Sequence, residues 1–347
     1  MKIIQNLDIN NKTILILELY PYHSECSPGF SKYLIDLGFY VDIIMDKYGK
    51  DSFNLFEFKD KIRLITYNYS KKINFAEEKF KFFFRKYSFI IVQTVDNVVA
   101  KTVSYIDLLC DHKVIFVFHF TKYYKILNFK KIENQKRIWF IGHFSIGLYI
   151  NPHYIGKIKL KNKNNKTRFF VVSTIYRNYN YLVSAALKLK EENIDFDVIV
   201  VGKIKRFEKN HINKEIMNNF IFHYNVTFSE LYKEVDNSDY IIITLDPDNK
   251  KDLIFRNQRA TGSIQLSYGF KKPVLIHKEF SSIYNMTEDN SFLFNKNNFY
   301  NVMKEAILLN NEKYKIKQRN LIKLSNLIYK TSLENVNKTV NSLLYKL

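Results

Sequence analysis

Cysteine, proline and glycine are scarce in this chain of 347 residues, which holds 2 Cys, 5 Pro and 9 Gly. The two cysteines, Cys26 and Cys110, form no CxxC pair, which excludes a disulfide scaffold and a zinc site built mainly on thiolates. No stretch approaches the roughly 20 uninterrupted apolar residues of a spanning helix, and the polar start MKIIQNLDINNK lacks the apolar run of a signal peptide. These absences predict a soluble cytoplasmic protein.

Acidic residues are few beside basic ones: 34 Asp and Glu stand against 54 Lys and Arg, a net charge of +20. The 30 Phe and 25 Tyr are typical of drift toward A/T-rich codons, which also inflates Lys, so part of the charge is explained as compositional background. A functional excess of positive charge favours an anionic partner, such as a membrane surface, nucleic acid or a phosphorylated substrate.

The amino-terminal part alternates apolar runs with amphipathic stretches. Continuous apolar runs indicate strands buried on both faces, and apolar residues at helical spacing lie between them. The predicted strands are 12–20, 40–45, 61–67, 89–94, 113–120 and 137–142, and the clearest helix is 27–38.

The alternation stops at 151–167, a stretch with Pro152, Gly156 and many Lys and Asn, and then resumes. The later strands are predicted at 168–174, 196–202, 219–224, 239–245, 272–277 and 291–294, with helices at 179–193, 228–238 and 262–270. This order predicts an α/β protein with two doubly wound parallel-sheet domains facing a cleft. The expected bounds are a domain at 1–155, a linker at 156–167, a domain at 168–315, and a basic helix at 316–347 that packs back on the first domain.

Candidate site residues follow the predicted strands, because ligands of such sheets bind beyond the strands' carboxyl ends. In PYHSECSPGF (21–30), His23 and Glu25 form an ionisable pair, and Gly29 permits a tight turn into the next helix. His119 ends the strand 113–120. The alternatives are an ordinary β–α connection at 21–30 and a satisfied core histidine at His119.

The second domain offers hydroxyl groups at Ser173 and Thr174, and cations at Arg177 and Lys203. A cation beside free helix N–H groups suits a diphosphate. The small residues at 261–263 open a helix directly, so their N–H groups are available to an anion. Neither GxGxxG nor GxxxxGK[ST] is present, and DPD (246–248) is interpreted as a turn and not as a metal site.

The stretch TGSIQLSYGFKKPVLI (261–276) resembles the second-domain signature of GT-B glycosyltransferases. The resemblance is to the large group of retaining, nucleotide-sugar-dependent enzymes similar to glycosyltransferase family 4. Residues 222–243 and 168–189 are similar to earlier parts of that domain, and 14–44 resembles the family's first β–α–β unit. The resemblance implies two Rossmann-like domains, the first binding the acceptor and the second the nucleotide-diphosphate sugar.

The resemblance also implies roles for the candidate residues: cations, hydroxyls and N–H groups bind the donor diphosphate, and His119 lies near the transferred sugar. The catalytic candidates are His119, Glu25 and His23. The donor-binding candidates are Ser173, Thr174, Arg177, Lys203, Thr261, Gly262, Ser263 and Gly29.

The chain departs from this pattern at three positions. The family often carries two glutamates, at positions that correspond to about Arg259 and Leu266 here, and a glycine where Lys271 stands. These departures keep two alternatives open: an inactive relative that acts as a partner protein, and an epimerase or hydrolase acting on nucleotide sugars in the same fold.

We expect a metal-independent, retaining glycosyltransferase that acts on a glycan or lipid-linked acceptor in bacterial cell-surface polysaccharide synthesis. The nucleotide sugar is its substrate, and no cofactor or nucleic-acid partner is expected. Lysines interleaved with aromatics at 71–87 predict peripheral attachment to the anionic inner face of the membrane. The alternative there is an aromatic core beneath a solvated basic face.

Overall fold

The computed structural model describes residues 12–20, 23–68, 81–96, 106, 113–126, 135–142, 147–173, 177, 179–202 and 214–344. The chain divides into two compact units. Unit 1 comprises Met1–Lys157, Gln258–Ala260 and Ile328–Leu347, and unit 2 comprises Ile158–Asn257 and Thr261–Leu327.

Unit 1 is built on a parallel sheet of seven strands in the order β3-β2-β1-β4-β5-β6-β7. The strands are β1 (Thr13–Leu17), β2 (Tyr40–Asp46), β3 (Ile62–Tyr67), β4 (Ile90–Val92), β5 (Val114–Phe118), β6 (Ile138–Phe140) and β7 (Leu148–Tyr149). All residues of β1, β4, β5 and β6 are buried, as expected for strands that helices cover on both faces. The two-residue β7 was not predicted, because so short a strand has no periodicity to detect.

The described helices of unit 1 are α1 (Ser27–Asp36), α2 (Lys81–Phe84) and α3 (Thr121–Ile126). Helix α1 carries Pro28 in its first turn, where the missing N–H costs no hydrogen bond. It ends before Gly38, whose φ of +88° lies in the left-handed region that glycine adopts most easily. The sequence placed this helix correctly because both of its ends carry local signals.

Unit 2 has a second parallel sheet of six strands in the order β10-β9-β8-β11-β12-β13. The strands are β8 (Thr167–Ser173), β9 (Phe196–Gly202), β10 (Phe220–Tyr224), β11 (Tyr240–Ile243), β12 (Val274–His277) and β13 (Phe292–Phe294). The helices are α4 (Asn180–Glu191), α5 (Phe228–Asn237), α6 (Gly262–Phe270), α7 (Lys278–Ser281), α8 (Phe299–Leu308) and α9 (Asn311–Leu344). Its core packs α4 and α8 against this sheet.

Lys271 ends helix α6 in the left-handed conformation, with φ 58° and ψ 38°. This geometry explains why glycine is usual at the position, since a side chain there is strained. The Lys271 ammonium compensates by donating to Tyr268 O at 2.6 Å and to Ser325 Oγ at 2.5 Å. The lysine at this position thus links the end of α6 to helix α9.

The long helix α9 belongs to both units: residues 311–327 lie in unit 2 and residues from Ile328 onward in unit 1. In unit 1, Trp139 Nε1 donates to Thr339 Oγ1 at 2.9 Å, and the Asn151 N–H donates to Ser332 Oγ at 3.0 Å. Val336 packs in the same core as Trp139. Helix α9 begins at Asn311, a few residues before the expected start at 316. The first boundary between the units follows Lys157.

The basic aromatic stretch 71–87 is described only from Lys81 onward, and three of its aromatic side chains are buried. Phe83, Phe84 and Tyr87 are 6%, 1% and 4% exposed and pack in the core of unit 1. These three rings are therefore not available to a membrane, as the alternative interpretation held. Within the described part of the chain, no helix combines the length and apolar character needed to cross a membrane.

Candidate active site

Three neighbouring strands of unit 1 end beside one another, and polar side chains follow each of them. Glu18 comes directly after β1, Gln93 after β4, and His119 after β5. Because these strands are parallel and adjacent in the order β1-β4-β5, their carboxyl ends meet at one edge of the sheet. This edge is where an open α/β sheet binds ligands.

Glu18 is fully buried at this edge, at 0% exposure. Its Oε2 accepts hydrogen bonds from Gln93 Nε2 at 2.5 Å and Thr94 Oγ1 at 2.9 Å, and its Oε1 accepts from the Tyr20 N–H at 2.7 Å. Burial raises the pKa of Glu18 to about 7, although the charge of His23 and the hydrogen bonds from the Tyr20 N–H and the Thr94 hydroxyl oppose the rise. Sequence reasoning missed this residue, and the available signal was a lone carboxylate directly after an apolar strand.

Gln93 connects the cluster to helix α1 and to the loop that carries His23. Its Oε1 accepts from Ser27 Oγ at 2.6 Å, while its Nε2 also donates to His23 O at 2.7 Å. Gln93 is completely buried, so its amide orientation is determined by these partners. Gln93 thereby holds the Glu18 carboxylate and the His23 backbone in one network.

The structure brings His23, Glu25 and His119, the three catalytic candidates, together. The rings of His23 and His119 lie 4.1 Å apart between centroids, and His23 Nδ1 lies 3.6 Å from Glu25 Oε1. Burial alone would lower the pKa of His23, but the carboxylate of Glu25 and the charge of Glu18 raise it above its ordinary value. His23 is therefore protonated more readily than an ordinary histidine.

His119 is in the opposite state. It is 8% exposed, and burial, with the charge of neighbouring His23, lowers its pKa well below the ordinary value. Its Nε2 lies 3.0 Å from Gln93 O, and a carbonyl oxygen can only accept. The neutral ring is thus assigned its proton on Nε2, which leaves Nδ1 as the basic nitrogen.

Gly29 has a packing role in the structure. A Cβ built on Gly29 would lie 2.4 Å from Pro152 O, so helix α1 approaches this backbone more closely than any side chain allows. Gly29 itself is buried within α1. The expected approach to a phosphate is therefore not the reason that the structure gives for glycine here.

Arg177, a donor-binding candidate in unit 2, is already ion-paired. Its Nη1 donates to Asp252 Oδ1, and its guanidinium lies 4.6 Å from the centre of the Phe255 ring. Both charged side chains are largely buried, at 10% and 3% exposure. Asp252 also accepts the Asp246 N–H at 3.0 Å. The charge that the sequence assigned to a diphosphate is compensated within the protein.

The small residues at 261–263 lie where predicted, at the amino end of helix α6. Gly262 is the first residue of the helix, and no side chain of the described residues caps it. A Cβ built on Gly262 would meet no atom of the described residues within 4 Å, its chain neighbours and the backbone of its own helix apart. The Ile264 N–H donates to Thr261 O at 3.3 Å, and the Gly262 and Ser263 N–H groups stand before it at the start of the helix, where N–H groups lack intrahelical acceptors and can bind an anion or solvent. Thr261 and Ser263 flank them and are largely buried, at 6% and 9% exposure.

For three donor-binding candidates the structure describes no side chain. Thr174 and Lys203 lie outside the described residues, and Ser173 is described only as the end of β8. The DPD stretch forms a turn, in which the Asp248 N–H donates to Asp246 Oδ1 at 3.0 Å. Among the described residues, no group of three or more His, Cys, Asp or Glu side chains is arranged to hold a metal ion.

Comparison by sequence finds no matching protein-family model and no matching curated protein. Comparison by structure finds two-domain proteins along almost the whole chain. One is Anabaena HepE, solved with UDP and glucose, with a TM-score of 0.52 and 11% identity over 96% of this chain and 100% of that one. Another is Arabidopsis thaliana UGT89C1, solved with quercetin, with a TM-score of 0.55 and 7% identity over 96% of this chain and 100% of that one.

The solved structures that this chain resembles have the GT-B fold of glycosyltransferases. With its two parallel sheets covered by helices, the chain has this fold. The prediction of two Rossmann-like domains is therefore confirmed.

Proposed function

We propose that this protein is a glycosyltransferase that moves a sugar from a nucleotide-diphosphate donor to a hydroxyl group of a glycan or lipid-linked acceptor. The observation that carries the proposal is the cluster of Glu18, His23, Glu25 and His119 at the ligand-binding edge of unit 1. Ionisable groups with displaced pKa values at such an edge are typical of catalytic sites. The GT-B fold, shared with a protein solved with UDP and glucose, supports this class of reaction.

The donor diphosphate is proposed to bind at the amino end of helix α6. The first-turn N–H groups and the positive end of the helix dipole favour an anion there, and the open space beside Gly262 allows a phosphate to approach the backbone. The Thr261 hydroxyl adds a donor. Ser173, Thr174 and Lys203 remain proposed contributors, whereas Arg177 would first have to leave Asp252.

In the proposed reaction, the bond from the anomeric carbon to the phosphate oxygen breaks and a bond to the acceptor oxygen forms. The bonding electrons leave with the nucleotide diphosphate, and the acceptor's proton is transferred to that leaving group. A cationic His23 is a poor base but can stabilise the developing negative charge. We propose a retaining reaction, in which no protein base needs to activate the acceptor, with His119 and Glu25 holding the reacting groups.

The function is tested by incubating the full chain with a panel of nucleotide sugars and measuring release of nucleotide diphosphate. We expect His23→Gln and Glu25→Gln to lower release by about 100-fold, the scale of a lost charge-stabilising group. The matched control is His223→Gln, on strand β10 of unit 2 with a half-exposed ring. No release and no binding with any donor would contradict the proposal. Proton NMR of the product's anomeric centre distinguishes retention from inversion.

The donor site is tested separately with Gly262→Val and isothermal calorimetry. Because the added Cβ meets no atom of a described residue outside its own helix and chain neighbours within 4 Å, the fold should survive, and any loss of nucleotide diphosphate binding reports on the ligand's approach. Normal binding by this variant would move the donor site elsewhere.

Metal independence is proposed because helix N–H groups and a cationic histidine can neutralise the leaving group. We expect activity to persist in EDTA. Loss of activity in EDTA that returns with manganese or magnesium would overturn this part of the proposal.

We also propose a role in cell-surface polysaccharide synthesis, with peripheral binding to an anionic membrane surface. The net charge of +20 supports this. The protein should sediment with anionic liposomes at low salt and be released at raised salt, because screening shortens the reach of the charges. Equal recovery in the supernatant with and without anionic lipid would leave the charge as compositional background.

A further inference from the structure

Glu18 lies at the ligand-binding edge of unit 1, but at 0% exposure it cannot touch a substrate. Burying a carboxyl group is unfavourable unless its oxygens are hydrogen-bonded. Three donors converge on it: the Gln93 amide, the Thr94 hydroxyl and the Tyr20 N–H. The carboxyl group is therefore a fixed acceptor for the residues around it.

The amide of Gln93 has one orientation that satisfies its partners. Its Nε2 donates to Glu18 Oε2 at 2.5 Å and to His23 O at 2.7 Å, which uses both amide hydrogens. Its Oε1 accepts from Ser27 Oγ at 2.6 Å. Turning the amide over would place its oxygen against the His23 carbonyl oxygen, which can only accept. The completely buried Gln93 side chain thereby anchors the backbone of His23.

The backbone of the same residue contacts the other histidine. The Gln93 N–H donates to Leu17 O at 2.9 Å, at the end of β1, and Gln93 O lies 3.0 Å from His119 Nε2. Strand β4 lies between β1 and β5 in the sheet, so the residue that follows β4 is next to the ends of both neighbouring strands. His23 follows β1, and His119 follows β5. Gln93 therefore joins the two histidines, one through its side chain and one through its carbonyl oxygen.

We propose that Gln93 is a positioning residue of the His23–His119 pair and holds the two rings at their centroid separation of 4.1 Å. In this arrangement His23 stabilises the leaving group while His119 holds the transferred sugar. Glu18 acts through Gln93, because it fixes the amide that anchors His23. The proposal rests on the proposed function, which gives the two histidines their roles, and it adds two buried residues that touch no substrate.

The test measures the nuclear Overhauser effect between the rings of His23 and His119 in the full chain, deuterated except at histidine. This effect fades steeply with distance, and rings whose centroids are 4.1 Å apart are close enough to show it. The ring signals are assigned with His23→Gln and His119→Gln. Because no substrate is added, the measurement reports on the protein alone.

The variants separate the amide hydrogens of Gln93 from its bulk. Gln93→Met keeps the length of the side chain and removes its donors and its acceptor. Gln93→Glu keeps the shape and the acceptor for Ser27 but has no amide hydrogens. The matched control is Thr339→Val, which removes the hydroxyl of another fully buried residue in unit 1, whose partners are Trp139 and Lys136.

We expect the effect in the unmodified protein and in Thr339→Val, and we expect both Gln93 variants to lose it. The physical reason is that the loop carrying His23 loses its anchor, while the sheet keeps His119 in place. Ser27→Ala removes only the donor to Gln93 Oε1, so it should weaken the effect and leave the fold intact. Circular dichroism checks the fold of each variant.

The proposal is overturned if the effect is missing in the unmodified protein or keeps its full intensity in folded Gln93→Met. If neither Gln93 variant folds, full intensity in Ser27→Ala overturns it instead. Loss of the effect in Thr339→Val would overturn it too, because a general loosening of unit 1 would then be the cause.

Nucleotide release distinguishes positioning from binding. We expect Gln93→Met to lower kcat by about 100-fold, the scale of a misplacement by about 1 Å, with KM for the donor near that of the unmodified protein. A raised KM with unchanged kcat would contradict the positioning role. Failure of the proposed function has a different signature, namely no nucleotide release and no nucleotide binding by the unmodified protein, and the contact between the rings is measured independently of both.

Discussion

The ion pair between Arg177 and Asp252 allows a direct test of whether Arg177 supports the fold or binds a donor. The Asp252 side chain is only 3% exposed, and burial raises its pKa although Arg177 opposes the rise. Arg177→Ala would leave this carboxylate in a site that excludes most water. The same change removes the guanidinium from the face of Phe255.

The expected cost follows from these contacts. Removing one partner of a buried ion pair costs about 3 to 5 kcal/mol, and a partly buried cation–π contact contributes about 1 kcal/mol. Asp252 keeps the N–H of Asp246 at 3.0 Å, so the lower end applies. We therefore expect Arg177→Ala to lower the free energy of unfolding by about 3 kcal/mol. Adding Asp252→Asn should recover about 1 to 2 kcal/mol, because it removes the uncompensated charge.

The measurement is urea unfolding followed by circular dichroism. Tryptophan fluorescence reports on the unfolding of unit 1, because the single tryptophan, Trp139, is buried there. The mutated pair lies in unit 2, so this signal serves as the internal reference. The matched control is Arg256→Ala. Its ion pair with Glu279 is 41% and 47% exposed, so we expect a loss below about 1 kcal/mol.

The structural role of Arg177 is refuted if Arg177→Ala unfolds within about 1 kcal/mol of the unmodified protein. A stable variant that binds nucleotide diphosphate weakly would instead support the role that the sequence suggested. If adding Asp252→Asn to Arg177→Ala lowers the free energy of unfolding further, the uncompensated carboxylate is not the cause of the destabilisation.

Three further predictions concern single buried groups. The folded-state pKa of Glu18 is about 7 and its ordinary value is 4.5, so its stabilising contribution is present below pH 4.5 and is lost as pH rises through 7, by about 3 kcal/mol. The free energy of unfolding of Glu18→Gln, followed by Trp139 fluorescence, should not show this loss. Parallel pH profiles for the variant and the unmodified protein would contradict the prediction. For Lys272, which is 4% exposed, the pH dependence of stability has the opposite sign, because burial lowers its pKa from 10.5 to about 8. The free energy of unfolding should therefore rise between pH 8 and 10.5 in the unmodified protein but not in Lys272→Met. An equal rise in both proteins would exclude this lysine as the cause. Gly29→Ala should lower the free energy of unfolding by about 2 kcal/mol, because the added methyl group overlaps with the Pro152 backbone. Gly262→Ala should change the free energy of unfolding by less than about 0.5 kcal/mol. Equal unfolding midpoints for the two variants would disprove the packing argument.

The order of strands and helices was determined by the sequence, because each element carries its own local signals. Apolar runs marked β1 and β5, and Pro28 and Gly38 marked the ends of α1. Gly262 marked the start of α6. The two-residue β7 escaped because a strand of that length has no period.

The contacts of the site were decided by tertiary structure. The sheet order β1-β4-β5 makes Glu18, Gln93 and His119 neighbours, and no local pattern encodes that order. Arg177 finds Asp252 at a separation of 75 residues, which turned an expected ligand-binding cation into half of an ion pair. The backbone of Arg259 pairs with that of Phe120, the residue after His119, across 139 positions of the sequence (259 − 120). Periodicity specifies which side of an element is buried, whereas the partner it meets depends on contacts between residues distant in sequence.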